Sequence, residues 1–265
     1  MSLNPLDILC LGPFPCAVTG QITTLPLARP FRAAIEGADS KGIGQGQMAA
    51  IIFDLDGTLI DAAPDICATA NTVLAEEGAA PISLDETKSF IGNGARVFVE
   101  RMSKLRNLPE AGFEARHRRF QQVYVEAHDH TVIYEGAMAA LDDLRAAGHR
   151  LGLCTNKPLL PTQSVLAHFD LDGYFDHVIA GDSLPQRKPD PAPLQAVIAA
   201  LGVSPVIYVG DSMTDALTAK SAGVPFLLYT EGYNHGRLAE MERAATFSHH
   251  RDMAAQIQAI LACEA

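Results

Sequence analysis

The fold is decided by residues 53–59, with the sequence FDLDGTL, which directly follow the apolar run AAII at 49–52. Two carboxylates, Asp54 and Asp56, stand one residue apart where a hydrophobic strand gives way to a Gly-Thr turn. Aspartate is depleted inside strands, and burying it without a partner is costly. Such a pair therefore predicts a site at the carboxyl edge of a sheet, which is where open α/β sheets bind their ligands.

The composition is that of a globular chain and argues against several classes of protein. The 265 residues are 48% hydrophobic and 19% charged, which is ordinary for a globular protein of one large domain or two smaller ones. The net charge of −11 argues against non-specific binding to nucleic acid or to an anionic membrane. No apolar run approaches the ~18 residues of a membrane span. The five scattered cysteines lack a CxxC pair and favour reduced thiols in the cytoplasm over a disulfide framework or a zinc site.

Short apolar runs, each followed by turn residues, are predicted to be strands. They lie at 50–54, 151–155, 178–181, 206–210 and 226–229. Segments with a helical period stand between most of them, at 138–147, 159–168, 193–201 and 215–222. This alternation implies right-handed crossovers. It predicts an α/β fold, a Rossmann-like doubly wound parallel sheet.

One interval interrupts the alternation of strands and helices. The sequence is helical throughout residues 62–132, where Pro64 opens a helix and the residues SLDE at 83–86 form a capping box. An interval of about 70 residues is far longer than an ordinary crossover. We therefore predict a helical cap domain at 62–132, inserted into an α/β core made of 48–61 and 133–265. A domain on two hinges above a strand-end site is suited to be a lid.

The first 47 residues differ from the rest of the chain. They contain five prolines and end in a glycine-rich stretch. We predict that residues 1–47 are an extension that is poorly ordered, or that precedes a native start at Met48. An arginine-bearing transit peptide is the alternative.

Polar residues that could act in catalysis or binding follow four of the predicted strands. Asp54 and Asp56 follow the first strand, and Thr155 and Asn156 follow the second. A Lys-Pro-Asp turn with Lys188 comes after the third strand, and Asp211 and Asp215 come after the fourth. If the four strands are parallel neighbours, all of these side chains converge at one edge of the sheet.

The charges at that edge need compensation. Two carboxylates ~4 Å apart repel each other by about 4 kcal/mol at an effective dielectric constant of 20, so four aspartates cannot all stay ionised without a counter-charge. Mg²⁺ prefers a few carboxylates together with waters and a phosphate oxygen. Lys188 adds a second positive charge, and Thr155 and Asn156 add neutral donors. This combination fits phosphoryl transfer, in which positioning and charge stabilisation dominate.

In order and in detail these motifs resemble the haloacid dehalogenase superfamily of phosphatases. The residues DLDGT at 54–58 match the first motif of the family, and Thr155-Asn156 match the second. Lys188 matches the third motif, and the residues GDSMTD at 210–215 match the fourth. The resemblance covers the chain from Ala50 to its end, and it includes the helical cap. Because the four motifs occur in the expected order, the resemblance is highly specific.

The resemblance implies a role for each matched residue. Asp54 would attack phosphorus and form an aspartyl-phosphate, and Asp56 would protonate the leaving oxygen and then activate water. The Asp54 side chain, the Asp56 main-chain carbonyl and Asp211 would hold Mg²⁺, with Asp215 as a supporting or water-mediated ligand. Thr155 and Lys188 would bind the phosphoryl group, and Thr58 and Asn156 are further candidate substrate contacts. Dehalogenases lack the acid at the position of Asp56, so the chain resembles a phosphatase.

Within that family the chain most resembles bacterial phosphoglycolate phosphatases. The matching features are DAAPD at 61–65, IGNG at 91–94, TNKP at 155–158, GD at 181–182 and GYN at 232–234. The expected substrate is therefore 2-phosphoglycolate, and other small phosphate esters or pyrophosphate are the alternatives. In the cap, Asn93 and Gly94 lie in a glycine-rich segment that opens a helix, which favours anions. Arg96 or Arg101 would add a cation for a substrate carboxylate, unless these arginines are simply solvated.

A second class of function stays open at this point. A non-catalytic protein could hold Mg²⁺ and phosphate on the same fold, although a binding site gains little from an acid placed at Asp56. For either class we expect a small phosphorylated anion as partner, no nucleic acid, no membrane, a cytoplasmic location, and a monomer or homodimer.

Overall fold

The computed structural model describes residues 47–264. The strands are β1 Ala50–Phe53, β2 Ile60–Asp61, β3 Val132–Ile133, β4 Arg150–Cys154, β5 His177–Ile179, β6 Val206–Gly210, β7 Phe226–Tyr229 and β8 Ala245–Phe247. The α-helices are α1 Ala63–Glu76, α2 Leu84–Phe90, α3 Ala95–Leu105, α4 Phe113–Tyr124, α5 Ala137–Ala146, α6 Leu159–His168, α7 Ala192–Leu201, α8 Met213–Ala222 and α9 Met253–Glu264. The predicted extension at 1–47 lies outside the described residues except for its last one.

The main sheet is parallel throughout and has β1 near its centre. Its strand order is β5-β4-β1-β6-β7-β8, and every neighbouring pair is parallel. Phe53, at the end of β1, pairs with Leu153 of β4 on one side and with Val209 of β6 on the other. The chain therefore moves outward in both directions from β1, which makes the carboxyl end of β1 a topological switch point. The predicted doubly wound α/β fold is confirmed.

Separate apolar clusters cover the two faces of this sheet. Alternate residues of a strand point to opposite faces, and Ile51 and Phe53 belong to one cluster while Ala50 and Ile52 belong to the other. Side chains of α5, α6, α9 and the helices before β3 contribute to the first cluster, and those of α7 and α8 contribute to the second. Burial on both faces explains why β1 is continuously apolar in the sequence.

The structure contains elements that the apolar runs did not predict. β8 is the edge strand beside β7, and its sequence, Ala-Thr-Phe, is too short and too polar to stand out as a run. β2 and β3 have two residues each and form a separate antiparallel pair. The C-terminal helix α9 was also not predicted. Within the described residues, no helix is long and apolar enough to cross a membrane.

Helices α1–α4 lie between β2 and β3, and we call residues 62–131 the helical insertion. The antiparallel pairing of Ile60 with Ile133 brings its two ends together. The predicted capping box of α2 is present: the Ser83 hydroxyl accepts from the Glu86 amide at 3.1 Å, and the Glu86 carboxylate accepts from the Ser83 amide at 2.7 Å. Because β2 pairs with β3, both chain connections between the insertion and the core run through this one short ribbon.

A buried carboxylate joins the two ends of the insertion. Asp65, in the first turn of α1, is 3% exposed. It accepts hydrogen bonds from the His130 amide at 3.0 Å and from the Thr131 hydroxyl at 2.6 Å. The residues that precede β3 are thereby held against the start of α1, which fixes how the insertion leaves the core.

Removing this carboxylate should destabilise the protein. We expect Asp65→Ala to lower the free energy of unfolding by about 2 kcal/mol, because the buried Thr131 hydroxyl loses its acceptor. Urea denaturation measures the change, and Asp143→Ala on the exposed side of α5 is the matched control, with an expected change within ~0.5 kcal/mol. Equal stability of the two variants would contradict this role for Asp65.

Candidate active site

The structure brings the predicted strand-end residues together around one ammonium group. Asp54 follows β1 directly, Thr155 follows β4, and Asp211 follows β6. Lys188, in the loop between β5 and α7, places its Nζ 2.9 Å from Asp54 Oδ1 and 2.8 Å from Asp215 Oδ1. The convergence follows from the sheet order, because β4, β1 and β6 are adjacent and parallel.

Lys188 is buried among acceptors. Its Nζ donates to Asp215 Oδ1 at 2.8 Å and to the Tyr208 hydroxyl at 2.9 Å, and Asp54 Oδ1 lies at ion-pair distance from it. Its backbone is held by Asn156, whose side-chain oxygen accepts from the Lys188 amide at 3.1 Å and whose Nδ2 donates to the Lys188 carbonyl at 3.0 Å. Burial alone would lower the pKa of Lys188, but Asp215 and Asp54 outweigh it and raise this pKa, so the group stays charged.

Both carboxylate oxygens of Asp215 have protein partners. Its Oδ1 accepts from Lys188 and from the Tyr208 hydroxyl at 2.9 Å. Its Oδ2 accepts from the Ser212 amide at 3.0 Å and the Ser212 hydroxyl at 2.6 Å. Burial opposes ionisation, but the charge of Lys188 and these hydrogen bonds lower the pKa of Asp215 below its usual value. In this arrangement Asp215 holds Lys188 and caps α8, which is a supporting role.

Asp54 and Asp211 carry negative charge that the protein does not fully compensate. Burial raises the pKa of Asp54 to about 6, with a further increase from Asp215 that Lys188 partly offsets. Burial and repulsion by Asp215 and Asp54 raise the pKa of Asp211 well above its usual value. Ligand oxygens of Asp54, Asp211 and Asp215 lie within 4.8 Å of one another. The cluster is therefore arranged so that it could hold a metal ion, as we expected.

Thr58 and Tyr233 both donate hydrogen bonds to Asp211. The Thr58 hydroxyl donates to Asp211 Oδ1 at 2.7 Å, and the Tyr233 amide donates to Asp211 Oδ2 at 2.6 Å. Thr58 is fully buried and its hydroxyl supports the cluster through Asp211; its expected contact with the substrate stays a prediction. Sequence reasoning missed Tyr233, which follows β7 without any motif spacing that relates it to Asp211.

The turn after Asp56 requires glycine and leaves a main-chain oxygen available. Gly57 has a φ of +89°, and a Cβ atom there would lie 2.4 Å from Asp211 Oδ2. The turn is closed by the hydrogen bond from the Gly57 amide to the Ile60 carbonyl at 2.8 Å, with Leu55 as the other acceptor. The Asp56 carbonyl stays outside this pattern and is free to be a ligand.

The Asp56 carboxylate has a separate partner. Lys157 places its Nζ 3.1 Å from Asp56 Oδ1 and also donates to the Tyr124 hydroxyl at the end of α4. The ammonium lies 4.3 Å from the centroid of the Tyr124 ring. Burial raises the pKa of Tyr124 well above its usual value, so the hydroxyl keeps its proton. Sequence reasoning gave no role to Lys157 or Tyr124, although Lys157 directly follows the motif Thr155-Asn156.

The helical insertion covers the site. Asn156 Nδ2 donates to the Gly92 carbonyl at 2.9 Å, and Asn93 Nδ2 lies 3.4 Å from the Thr214 hydroxyl. Between the sheet edge and the insertion is a cavity lined by Asp54, Asp56, Ile66, Ile91, Gly92, Gly94, Ala95, Phe98, Phe120, Tyr124, Thr155, Asn156, Lys157 and Pro158. The predicted residues Gly94, Thr155 and Asn156 therefore face a shared cavity with the Asp54–Asp56 pair. The Asn156 side chain itself is used by Lys188 and Gly92.

The predicted cap arginines are occupied by protein groups. Arg96 makes two hydrogen bonds to Glu114, at 2.6 and 3.2 Å, with its guanidinium carbon 4.7 Å from the centroid of the Phe113 ring. Its side chain is 42% exposed, and it is not among the residues that line the cavity. Arg101 donates to the Phe90 carbonyl and to Asn93 Oδ1. Because Arg96 is paired with Glu114 on the neighbouring helix, its expected contact with the substrate stays a prediction.

With this geometry established, comparison with known proteins assigns the family. Residues 51–229 match the family model for haloacid dehalogenase-like hydrolases. The chain belongs to that family. A phosphoglycolate phosphatase of Cereibacter sphaeroides is 48% identical over 218 residues, which make up 81% of this chain and 100% of the relative. Phosphoglycolate phosphatase 1 of Pseudomonas aeruginosa is 39% identical over 210 residues, 77% of each chain.

Solved structures agree with the assignment to the haloacid dehalogenase-like hydrolases. A crystal structure from Haemophilus somnus, described as a predicted phosphoglycolate phosphatase, superposes with a TM-score of 0.75 and 32% identity. The match covers 81% of this chain and 99% of that chain. The expected superfamily is confirmed, and so is the expectation of a phosphoric monoester hydrolase.

The charge of the aspartate cluster predicts a pH-dependent effect of metal on stability. The pKa of Asp54 is raised in the folded protein, so its ionisation costs folding stability, which is lost as the pH rises from about 4 through about 6. A bound divalent cation removes this cost. We therefore expect Mg²⁺ in place of chelator to raise Tm by several degrees at about pH 7.5 and by clearly less at about pH 5.

The variant Asp54→Asn provides the control for this effect. It removes the charge while its amide oxygen still faces Lys188, so in chelator at about pH 7.5 its Tm should exceed that of the wild type. Mg²⁺ should then shift its Tm only slightly. A metal-induced shift in the wild type that is equal at both pH values would contradict the argument.

Proposed function

We propose that the chain is a Mg²⁺-dependent phosphate monoester hydrolase that acts through an aspartyl-phosphate, with 2-phosphoglycolate as substrate and glycolate and phosphate as products. One observation carries this proposal. Two carboxylates at the end of the central strand have different partners, Asp54 with Lys188 and Asp56 with Lys157. Separate environments suit two carboxylates for separate tasks, one as nucleophile and the other as acid and base.

Asp54 is suited to be the nucleophile. With a pKa of about 6 its carboxylate is ionised at neutral pH, and Lys188 holds one oxygen in a fixed direction. The other oxygen attacks phosphorus, the bond from phosphorus to the ester oxygen breaks, and the phosphoryl group stays on Asp54. Lys188 then lies beside the transferred group, where its charge stabilises the phosphoryl oxygens.

Asp56 is suited to move the proton. It gives a proton to the leaving ester oxygen, which departs as the alcohol of glycolate. The resulting Asp56 carboxylate then takes a proton from water, and that water attacks phosphorus and releases phosphate from Asp54. The carboxylate is only 12% exposed, and Lys157 holds it in place, so the same group is kept near both leaving group and water.

The donor set fits Mg²⁺. The carboxylates of Asp54 and Asp211 and the main-chain carbonyl of Asp56 would hold the ion, since all three are oxygen ligands of the kind that Mg²⁺ prefers. Burial and the neighbouring aspartates raise the pKa of Asp211, so a positive charge placed beside it would favour its ionised form. When bound, the ion supplies positive charge that offsets both the aspartates and the phosphoryl group. Asp215 would act through Lys188 and Ser212 without contacting the ion.

Thr155 supplies a neutral donor for the phosphoryl group. Its hydroxyl oxygen accepts from the Lys157 amide at 3.2 Å, which leaves the hydroxyl hydrogen available for a phosphate oxygen. Thr155 is buried at the end of β4 and lines the cavity together with Asp54. We therefore assign the phosphoryl group to the space among Asp54, Thr155 and Lys188.

The substrate is supported by the relatives and by the covered site. Two relatives named for phosphoglycolate match this chain at 48% and 39% identity. We propose that residues 62–132 are the cap and that 48–61 and 133–265 are the core, because the insertion closes the cavity above Asp54 and Asp56. A covered cavity selects a small ester. The free thiols of Cys67, Cys154 and Cys263 support a cytoplasmic location.

Replacing the nucleophile tests the mechanism. We expect Asp54→Asn to lower kcat by roughly a thousandfold or more, because an amide cannot form the phosphoenzyme, while the circular dichroism spectrum stays unchanged. Asp143→Asn on the exposed face of α5 is the matched control and should keep wild-type kcat. A fully active Asp54→Asn protein would overturn the mechanism, and a wild type that binds Mg²⁺ and phosphate without turnover would be a non-catalytic binding protein.

A panel of esters tests the substrate. We expect kcat/KM for 2-phosphoglycolate to exceed the values for hexose phosphates and pyrophosphate by roughly tenfold or more, because the insertion leaves room for a small leaving group. Chelator should abolish all of these activities, and Mg²⁺ should restore them. A hexose phosphate or pyrophosphate as the best substrate would replace 2-phosphoglycolate in the proposal and leave the phosphatase chemistry intact.

A further inference from the structure

The cavity above the aspartates contains one cation to which the proposed reaction assigns only the positioning of Asp56. Among the described residues that line it, Lys157 is the only lysine or arginine. Lys188 does not line it, and its ammonium group is held between Asp54, Asp215 and the Tyr208 hydroxyl. Arg96 is paired with Glu114 outside the cavity lining. A second negative charge on a substrate would therefore meet Lys157 first.

The geometry of Lys157 leaves a donor for a ligand. Its side chain is 3% exposed, and its Nζ lies 3.1 and 3.4 Å from the two oxygens of the Asp56 carboxylate and donates to the Tyr124 hydroxyl. An ammonium group has three hydrogens, so one hydrogen shared by the two oxygens of Asp56 and one for Tyr124 leave the third. A charge buried this deeply is stable only when anions or acceptors surround it, and an acceptor on the substrate would complete that set.

The position of Lys157 matches the position of a carboxylate next to the ester. Asp56 must be within hydrogen-bonding distance of the leaving ester oxygen to protonate it. Lys157 Nζ is 3.1 Å from Asp56 Oδ1, so a leaving ester oxygen within reach of Asp56 would also lie close to this ammonium group. In 2-phosphoglycolate the carbon attached to the ester oxygen carries the carboxylate. The carboxylate thus falls within reach of the group that is already next to Asp56.

Apart from Lys157, the cavity wall that favours an anion is the start of helix α3. Ile66, Ile91, Phe98 and Phe120 give the cavity an apolar wall that offers no hydrogen bond to a carboxylate. Helix α3 begins after Gly94 without a side-chain cap, and Ala95 at its first position lines the cavity. Uncapped amides at a helix start favour negative charge, which adds to the effect of Lys157.

From these observations we infer that Lys157 is the specificity residue that binds the carboxylate of the substrate, and that the Tyr124 hydroxyl orients its ammonium group. The inference rests on the proposed function, and it names the residue that recognises the leaving group in the same site. Tyr124 belongs to α4 in the insertion, whereas Lys157 follows β4 in the core. The carboxylate is therefore bound by a lysine that is fully oriented only when the insertion covers the site.

A pair of esters that differ only in charge tests this role. Ethyl phosphate replaces the carboxylate of 2-phosphoglycolate by a methyl group, so the ratio of the two kcat/KM values reports recognition of the carboxylate. We expect Lys157→Met to lower this ratio by roughly 10- to 100-fold, the range for a lost hydrogen bond to a charged group. Any effect on Asp56 lowers both rates and cancels in the ratio.

Further variants separate this role from its competitors. Lys157→Arg should restore much of the ratio because it keeps the charge, and Tyr124→Phe should lower the ratio by a few-fold. Lys220→Met on the exposed side of α8 should change neither rate. Equal losses for both esters in Lys157→Met would make Lys157 a positioning residue for Asp56 alone, and a fall of the ratio in Arg96→Met instead would assign the carboxylate to Arg96; either result overturns the inference.

The wild-type ratio separates this inference from the proposed function. A wild-type protein that hydrolyses ethyl phosphate as efficiently as 2-phosphoglycolate overturns the proposed substrate. A high wild-type ratio that Lys157→Met leaves unchanged overturns only the role of Lys157.

Discussion

The structure depends on the contact of the Lys188 ammonium group with Asp54 and Asp215. Without this cation, three buried carboxylates would face one another at the end of β1, a state that ionisable groups in a protein interior avoid. The contact divides the aspartates into two kinds. Asp215 is fully satisfied and serves as a fixed support, whereas Asp54 and Asp211 keep excess charge that a cation and a phosphoryl group can use. In the proposed reaction, the negative charge of Asp54 and Asp211, which the protein compensates only in part, is what the cation and the phosphoryl group interact with.

Much of this could be predicted from the sequence because the relevant signals are local. The apolar runs and their terminal aspartates specify the parallel sheet and its carboxyl edge, since a strand buried on both faces must be continuously apolar. The capping box at Ser83 is equally local, because all of its partners lie within four residues. The order of the four motifs added the family, which the comparison confirmed.

What the sequence did not predict depends on contacts between distant segments. Glu114 of α4 forms an ion pair with Arg96 of α3, and no pattern in either helix indicates that pairing. Tyr124 and Lys157 are 33 residues apart and meet only after the insertion has folded onto the core. β8 was missed for another reason: a three-residue edge strand needs no apolar run, because its neighbour β7 supplies the pairing.

Asn156 links the insertion to the core in a way that bears on how such enzymes diversify. Its side chain holds the backbone of Lys188 on one side and the carbonyl oxygen of Gly92 on the other. Since the second contact is to the main chain, it is indifferent to which side chains the neighbouring loop carries. Under the proposed function, substitutions in that loop would change which leaving group is accepted while the hydrogen bond that holds the loop persists. Selectivity would then evolve without changes to the aspartates and lysine beneath the loop.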